Sequence, residues 1–117
     1  RDLHRDPSYY DIIATGDLGK IGHEIARKML KKDGFEFPQG VFTDCGILMY
    51  KKDQPVFSGG SGCACSATVT YGHFLKEMNR KKINKILIVA TGALMSPMSY
   101  QQKESIPCIA HGVSIET

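Results

Sequence analysis

Two stretches of this sequence have the residue types and spacing to hold an anion. The first is Gly59-Gly60-Ser61-Gly62-Cys63-Ala64-Cys65-Ser66-Ala67. Behind it Ala64, Ala67, Thr68, Tyr71, Phe74, Leu75 and Met78 recur at steps of three and four, the pattern of one helix face. A glycine-rich loop opening into an amphipathic helix offers unpaired N–H groups and the positive end of the helix dipole. The second is Thr15-Gly16-Asp17-Leu18-Gly19-Lys20-Ile21-Gly22, which follows an apolar run and opens another helical pattern. The plain alternative for both is a tight strand-to-helix turn that binds nothing.

The second stretch also fits a T-G-x-x-G-x-x-G dinucleotide fingerprint, similar to that of short-chain dehydrogenases. That reading makes Asp44 the carboxylate for a cofactor ribose, although it lies later than the usual ~20 residues. No Tyr-x-x-x-Lys pair follows it, so an NAD(P)-binding module is kept only as an alternative.

Cysteine and histidine add few candidates. The four cysteines, Cys45, Cys63, Cys65 and Cys108, include no C-x-x-C pair and match no common zinc spacing. Small buried thiols are the ordinary outcome, and a Cys63, Cys65 and His111 metal site is the sharper alternative. At a helix start Cys63 or Cys65 is a conceivable nucleophile, but no neighbouring histidine activates either. Of His4, His23, His73 and His111, only His111 sits in an apolar strand pattern beside glycine, where it can face a pocket. No G-x-S-x-G elbow occurs.

The positioning elements follow from hydrophobic pattern. Strands are expected at Tyr9–Thr15, at Lys85–Thr91 and at Ile109–Glu116, and the apolar run Ile47–Tyr50 reads as a short strand or a helical turn. In the last, Ile109, His111, Val113 and Ile115 share one face. A helix with the stripe Ile21, Ile25, Met29 and Leu30 ends near Gly34, and a central helix covers about Cys63–Lys81. Gly92–Glu104 reads as a long loop of the kind that carries function. Alternating strands and helices give an α/β fold with a sheet packed on helices.

Composition bounds the rest. With 117 residues the chain is one domain, and a net charge of +3 is too mild to imply nucleic acid. The run Lys76, Arg80, Lys81, Lys82 suits a helix C-terminus. The longest apolar run, Ile86–Ala90, is far too short to span a bilayer. Residues 1–8 read as a helix tail or linker from a preceding part, and residues 9–117 as the domain proper.

Taken in order, the motifs resemble the C-terminal part of the stage V sporulation protein AD family, within the thiolase-like superfamily. The resemblance is carried by Tyr10–Leu18, Gly59–Ala67, Ile88–Pro97, Gln101–Pro107 and Ile109–Val113. It implies most of the C-terminal half of a thiolase-like fold, with a five-stranded sheet packed on helices in each of two halves. It implies a role in spore formation and germination: binding dipicolinic acid, or its calcium chelate, for uptake into the developing spore. Implied partners are membrane proteins of the same sporulation operon and the N-terminal half of its own chain, with a homodimer as a further expectation. The implied place is the cytoplasmic side of the spore inner membrane, peripherally bound.

In the related ketoacyl synthases a catalytic histidine and asparagine stand where this chain resembles them at Gly16-Asp17-Leu18-Gly19 and at Ser61. Neither residue type is present at those positions. The resemblance therefore implies binding without catalysis and no cofactor, with acyl transfer as the rival reading. The expected ligand-binding set is Gly16, Asp17, Gly60, Ser61, Gly62, Cys63 and His111. In it two glycine-rich helix starts each offer N–H groups to a carboxylate. Asp17 is expected to hold calcium, pair with a base or cap its helix.

Overall fold

The computed structural model describes residues 3–90, 92–93 and 96–117. Of the stretches named above, residues 1, 2, 91, 94 and 95 lie outside the description. The elements are β1 (Ile12–Thr15), α1 (Gly19–Lys32), β2 (Phe42–Asp44), α2 (Cys45–Leu48), α3 (Cys65–Val69), α4 (Leu75–Asn79), β3 (Lys85–Val89), α5 (Pro97–Gln101) and β4 (Gly112–Glu116). They form an α/β structure whose mixed sheet runs β2-β1-β3-β4. β1 pairs in parallel with β2 and with β3, and β4 closes antiparallel on β3. No described helix is long and apolar enough to cross a membrane.

Register assigns the two faces of the sheet. Ile12 pairs with Ile86, Ala14 with Ile88, and Ile86 with Ile115, so these side chains share one face. That face is the core: Ala14 and Ile86 are wholly buried, against Val69, Phe74 and Met78 of the central helix. Val113 shares it but lies beyond the helix and is exposed. The strand expected over Ile109–Glu116 is regular only from Gly112; before it the pairing is irregular, with Ala90 donating to the His111 carbonyl, Ile109 to the Gly92 carbonyl, and an isolated bridge between Ala93 and Cys108. A side chain at Gly92 would stand 1.8 Å from the Ile109 carbonyl oxygen.

The central helix is continuous from α3 to α4 but contains a π turn, Thr70–Phe74. Its buried positions explain the turn. Cys65 and Val69 are four apart, Phe74 and Met78 are four apart, and the step between the pairs is five. An α-helix cannot keep a five-residue step on one face, and one wide turn restores it. The apolar face expected from Ala64, Ala67, Thr68 and Tyr71 is therefore displaced; Ala64, Ala67, Thr68 and Tyr71 are exposed.

Three helix ends share one device. After α1, Gly34 at φ +84° donates to the Lys31 carbonyl, and Phe35 donates to that of Leu30. These two bonds make a Schellman stop. α4 ends the same way at Lys81 and Lys82, and α5 at Lys103 and Glu104. Lys81 and Lys103 take the left-handed position that glycine fills after α1. α5 itself lies in the stretch expected to be loop, started by Pro97 at its first position.

The segment before β1 is tied to the sheet rather than extended as strand. Asp6 caps a 3-10 turn, Pro7–Tyr9. Arg5 bonds Glu116 and Ser114 of β4 and stacks over the Tyr9 ring, which also receives Lys85. Hydrogen bonds from Ser114 and then Tyr9, with Arg5 adding to them, hold the Glu116 carboxyl below the usual range.

α1 differs most from expectation. Gly22, His23, Ala26 and Leu30 turn toward the sheet, while Ile21, Ile25 and Met29 are 52%, 53% and 62% exposed. His23 stacks on Phe42 at 4.4 Å, and Phe42 on Phe37 at 4.8 Å. The Nδ1 of His23 is buried without a hydrogen-bond partner. Burial lowers the His23 pKa, with Asp44 opposing and Arg27 adding to the shift. The folded state thus prefers neutral imidazole. Its contribution to stability is full above the unfolded pKa of about 6.5 and is lost as pH falls through the lower folded value. In thermal melts between pH 7.5 and 5, His23→Phe, which keeps the stack, should remove part of the acid-side loss of Tm. An unchanged pH slope would refute that assignment.

Candidate functional site

The site is assembled around Asp44, at the end of β2. Asp44 is wholly buried. Its Oδ1 accepts from the Thr15 hydroxyl at 2.6 Å and the Leu18 amide at 2.9 Å; its Oδ2 accepts from the Gly19 amide at 3.0 Å and the Ile47 amide at 3.2 Å. One carboxylate thus caps α2 and ties the end of β1 to the start of α1. Each bond is charge-assisted, and together they offset the cost of burying the charge. This arrangement leaves no carboxylate oxygen for a ribose, so the dinucleotide reading of Asp44 is corrected.

The same bonds close the first of the two anticipated anion cradles. At the start of α1 the amides of Leu18 and Gly19 are taken by Asp44, and that of Lys20 donates to the Ser58 carbonyl at 2.7 Å. Gly19 is required for the close approach: it has φ +68°, and a Cβ there would stand 2.5 Å from the Ser58 hydroxyl oxygen. The expectation that both glycine-rich turns present free N–H groups to a ligand therefore fails for α1.

The second turn is seated on α2. Gly60 donates to the Gly46 carbonyl at 2.7 Å, and a Cβ on Gly46 would come within 2.4 Å of the Gly60 oxygen. Gly60 is buried against Met49, so it supports the site from behind. Ahead of it, Gly62 at φ +114° donates its amide to Asp17 Oδ2 at 2.9 Å. Asp17 thus links the two glycine-rich turns through its side chain.

Four of the seven anticipated residues meet here. Gly16, Asp17, Gly62 and Cys63, with Ser66 and Ala93, line a cavity of about 310 Å³. Gly60 lies behind it. Ser61 is exposed and outside its lining. His111 is exposed as well; its carbonyl accepts from the Ala90 amide, and it stands apart from the cavity. Ser66 and Ala93 were not anticipated. Ser66 is the second residue of α3, and only the structure brings Ala93 back across the chain. A second cavity of about 310 Å³, mostly apolar, shares Ala93 and is lined by Thr15, Leu18, Val89 and Cys108 among others.

The thiols divide by burial. Cys45 is wholly enclosed, and burial, with Asp44 next, pushes its pKa up to about 12. Burial, then Asp17 and Asp44, also raises the Cys65 thiol. Neither is a thiolate near neutral pH, so Cys65 is removed as a nucleophile. Cys63 and Cys108 are exposed. Cys63, Cys65 and His111 do not converge, and no cluster of three or more His, Cys, Asp or Glu among the described residues could hold a metal ion.

Comparison with known proteins fits this geometry into a lineage. The family model described as stage V sporulation protein AD matches residues 1–116. The chain belongs to the stage V sporulation protein AD family. Stage V sporulation protein AD of Bacillus subtilis (strain 168) is 54% identical to it, over 99% of this chain and 34% of that protein. The chain thus spans about a third of that relative's length. Membership places it in sporulation.

The Asp44 hub yields a direct test. Asp44→Ala strands four donors at once, one of them buried and three partly buried, so within the longer protein it should cost at least about 3 kcal/mol in urea unfolding. A loss under about 1 kcal/mol would show that water or another acceptor replaces the carboxylate.

Proposed function

We propose that this stretch of the stage V sporulation protein AD family supplies a binding cavity for dipicolinate, or its calcium chelate, and binds that ligand without transforming it. The observation that carries the reading is the convergence of Gly16, Asp17, Gly62 and Cys63 with Ser66 around one cavity of about 310 Å³. That volume lies at the lower end of small-molecule sites, ~300–1,000 Å³. Dipicolinate is a flat, rigid pyridine dicarboxylate, a dianion near neutral pH. Ser66 can donate a hydroxyl to it, and the backbone at Gly16 and Gly62 lets its ring approach closely.

Asp17 decides which form enters. A ligand carboxylate ~4 Å from Asp17 would be repelled by about 4 kcal/mol at an effective dielectric constant near 20. Two arrangements relieve the repulsion. The ligand can arrive as its calcium chelate, with Asp17 adding an oxygen to the cation. Alternatively a cationic side chain from the rest of the longer protein can pair with Asp17. The first requires nothing outside this chain and is the one we adopt.

The rival acyl-transfer reading has less support. No histidine lies at the Gly16 turn, Ser61 replaces the asparagine of the working enzymes, and Cys65 is buried and protonated. We further read the mixed sheet as most of one half of a thiolase-like fold. The ligand's fate would be delivery to membrane proteins of the same operon, at the spore inner membrane, for uptake into the spore.

Titration calorimetry of the full-length protein tests the reading. Dipicolinate with calcium should bind the wild type at least about tenfold tighter than dipicolinate alone. Absence of heat at millimolar ligand under both conditions would refute the binding role. Asp17→Asn should tighten binding of the free dianion by at least about a hundredfold and abolish the calcium effect. Ser66→Phe should block binding, while Ser61→Ala, outside the cavity, should not change it.

A further inference from the structure

The ladder between β3 and β4 ends at the pair Val89 and Gly112. Beyond it the two segments stay together on single contacts. Ala90 donates to the His111 carbonyl at 3.2 Å, Ile109 donates to the Gly92 carbonyl at 3.0 Å, and Ala93 and Cys108 form an isolated bridge. Gly92 is required for this approach, because a Cβ there would overlap the Ile109 carbonyl oxygen. Where the ladder gives way, the mostly apolar cavity of about 310 Å³ opens between these segments and the turn after β1.

That turn serves two cavities at once. Thr15 and Leu18 line the apolar one, while Gly16 and Asp17, between them in sequence, line the polar one. The buried Asp44 carboxylate takes the Thr15 hydroxyl and the Leu18 amide, so neither is left for a ligand. The Ala90 and Ile109 amides are also bonded within the protein. With Val89, Ile109 and Ala110 in its lining, the apolar cavity suits an uncharged hydrocarbon group. Ala93 lines both cavities, so they adjoin at one small side chain. A cavity of about 150 Å³ holds a benzene ring, and this one is larger.

We propose that the apolar cavity is a second compartment of the ligand site, and that the site takes flat dicarboxylates bearing an apolar group the size of a benzene ring. The inference rests on the ligand reading above. In that reading calcium and Asp17 hold the edge of the pyridine that carries the nitrogen and both carboxylates. The ring carbon opposite the nitrogen then faces away from Asp17. A group attached to that carbon passes Ala93 into the apolar compartment, against Leu18 and Val89. Dipicolinate itself fills only the polar compartment. Burying a phenyl ring in the apolar one strengthens binding by at least about tenfold.

Each compartment carries one exposed thiol, Cys63 in the polar one and Cys108 in the apolar one. Their alkylation rates in the wild-type full-length protein, resolved by peptide mass spectrometry, read the two compartments separately. With calcium present, dipicolinate should slow alkylation of Cys63 at least tenfold and leave Cys108 within twofold. 4-Phenylpyridine-2,6-dicarboxylate should slow both at least tenfold and bind at least about tenfold tighter than dipicolinate in calorimetry. In Ala110→Phe, which fills the apolar compartment, the two ligands should bind within twofold of each other. Protection of Cys63 by both ligands with Cys108 unchanged overturns the second compartment and leaves the dipicolinate reading standing. Cys63 unprotected by dipicolinate overturns that reading and the inference with it. A Cys108 that is unreactive in the ligand-free native protein shows the compartment closed and overturns the inference. A tenfold preference that persists in Ala110→Phe places the phenyl group elsewhere and does the same.

Discussion

The buried carboxylate of Asp44 is the constraint on which the rest of the site depends. Three segments distant in sequence, at Thr15–Gly19, at Asp44 itself and at Ile47, converge on its two oxygens. A buried carboxylate is tolerable only when its lone pairs are filled, and here four donors fill them. The consequence is functional as well as structural. Once α1 has given its first amides to Asp44, its dipole end is neutralised internally. What remains open is the face formed by Gly16, Asp17 and the turn at Gly62.

A second carboxylate repeats the logic nearer the surface. Asp17 accepts from Gly62 much as a ligand anion would. The cradle anticipated at the second glycine turn is thus partly filled by the protein's own acid. On the proposed reading, that acid favours a ligand that brings a cation over a bare dianion. The close approach of Gly46 and Gly60 keeps that turn in place; any Cβ at Gly46 would force it outward and move Gly62 away from Asp17.

Much of this was legible in the sequence. Strands separated by helices and the two glycine-rich turns follow from local pattern; the grouping of Gly16, Asp17, Gly62 and Cys63 came from the family resemblance, and β2 at Phe42–Asp44 was missed in favour of a strand or turn at Ile47–Tyr50. The misses have physical causes. The face of the central helix was misplaced because a period of 3.6 was carried across a π turn, visible only as the five-residue step from Val69 to Phe74. His111 was expected at a pocket because alternation was extended three residues, 109–111, beyond where the ladder is regular. Asp44 was matched to a cofactor because a strand-terminal acid has the same sequence signature whether it binds a ribose or caps a helix. The burial that separates the two cases is a tertiary property.

The α1 stripe is an informative case of the same kind. Ile21, Ile25, Met29 and Leu30 have the spacing of a buried face, and pattern alone predicts burial. In this stretch only Leu30 is turned inward, and the other three stand open. Hydrophobic pattern records the environment of the complete molecule, whereas the fold of one stretch records only the cover that the stretch itself supplies. A chain that spans a third of its relative can therefore satisfy its polar groups locally, as Asp44 does, and still carry apolar positions whose partners lie elsewhere. The mismatch between pattern and exposure is large along α1 and absent at Ala14, Ile86 and Ile88, which α3 and α4 seal.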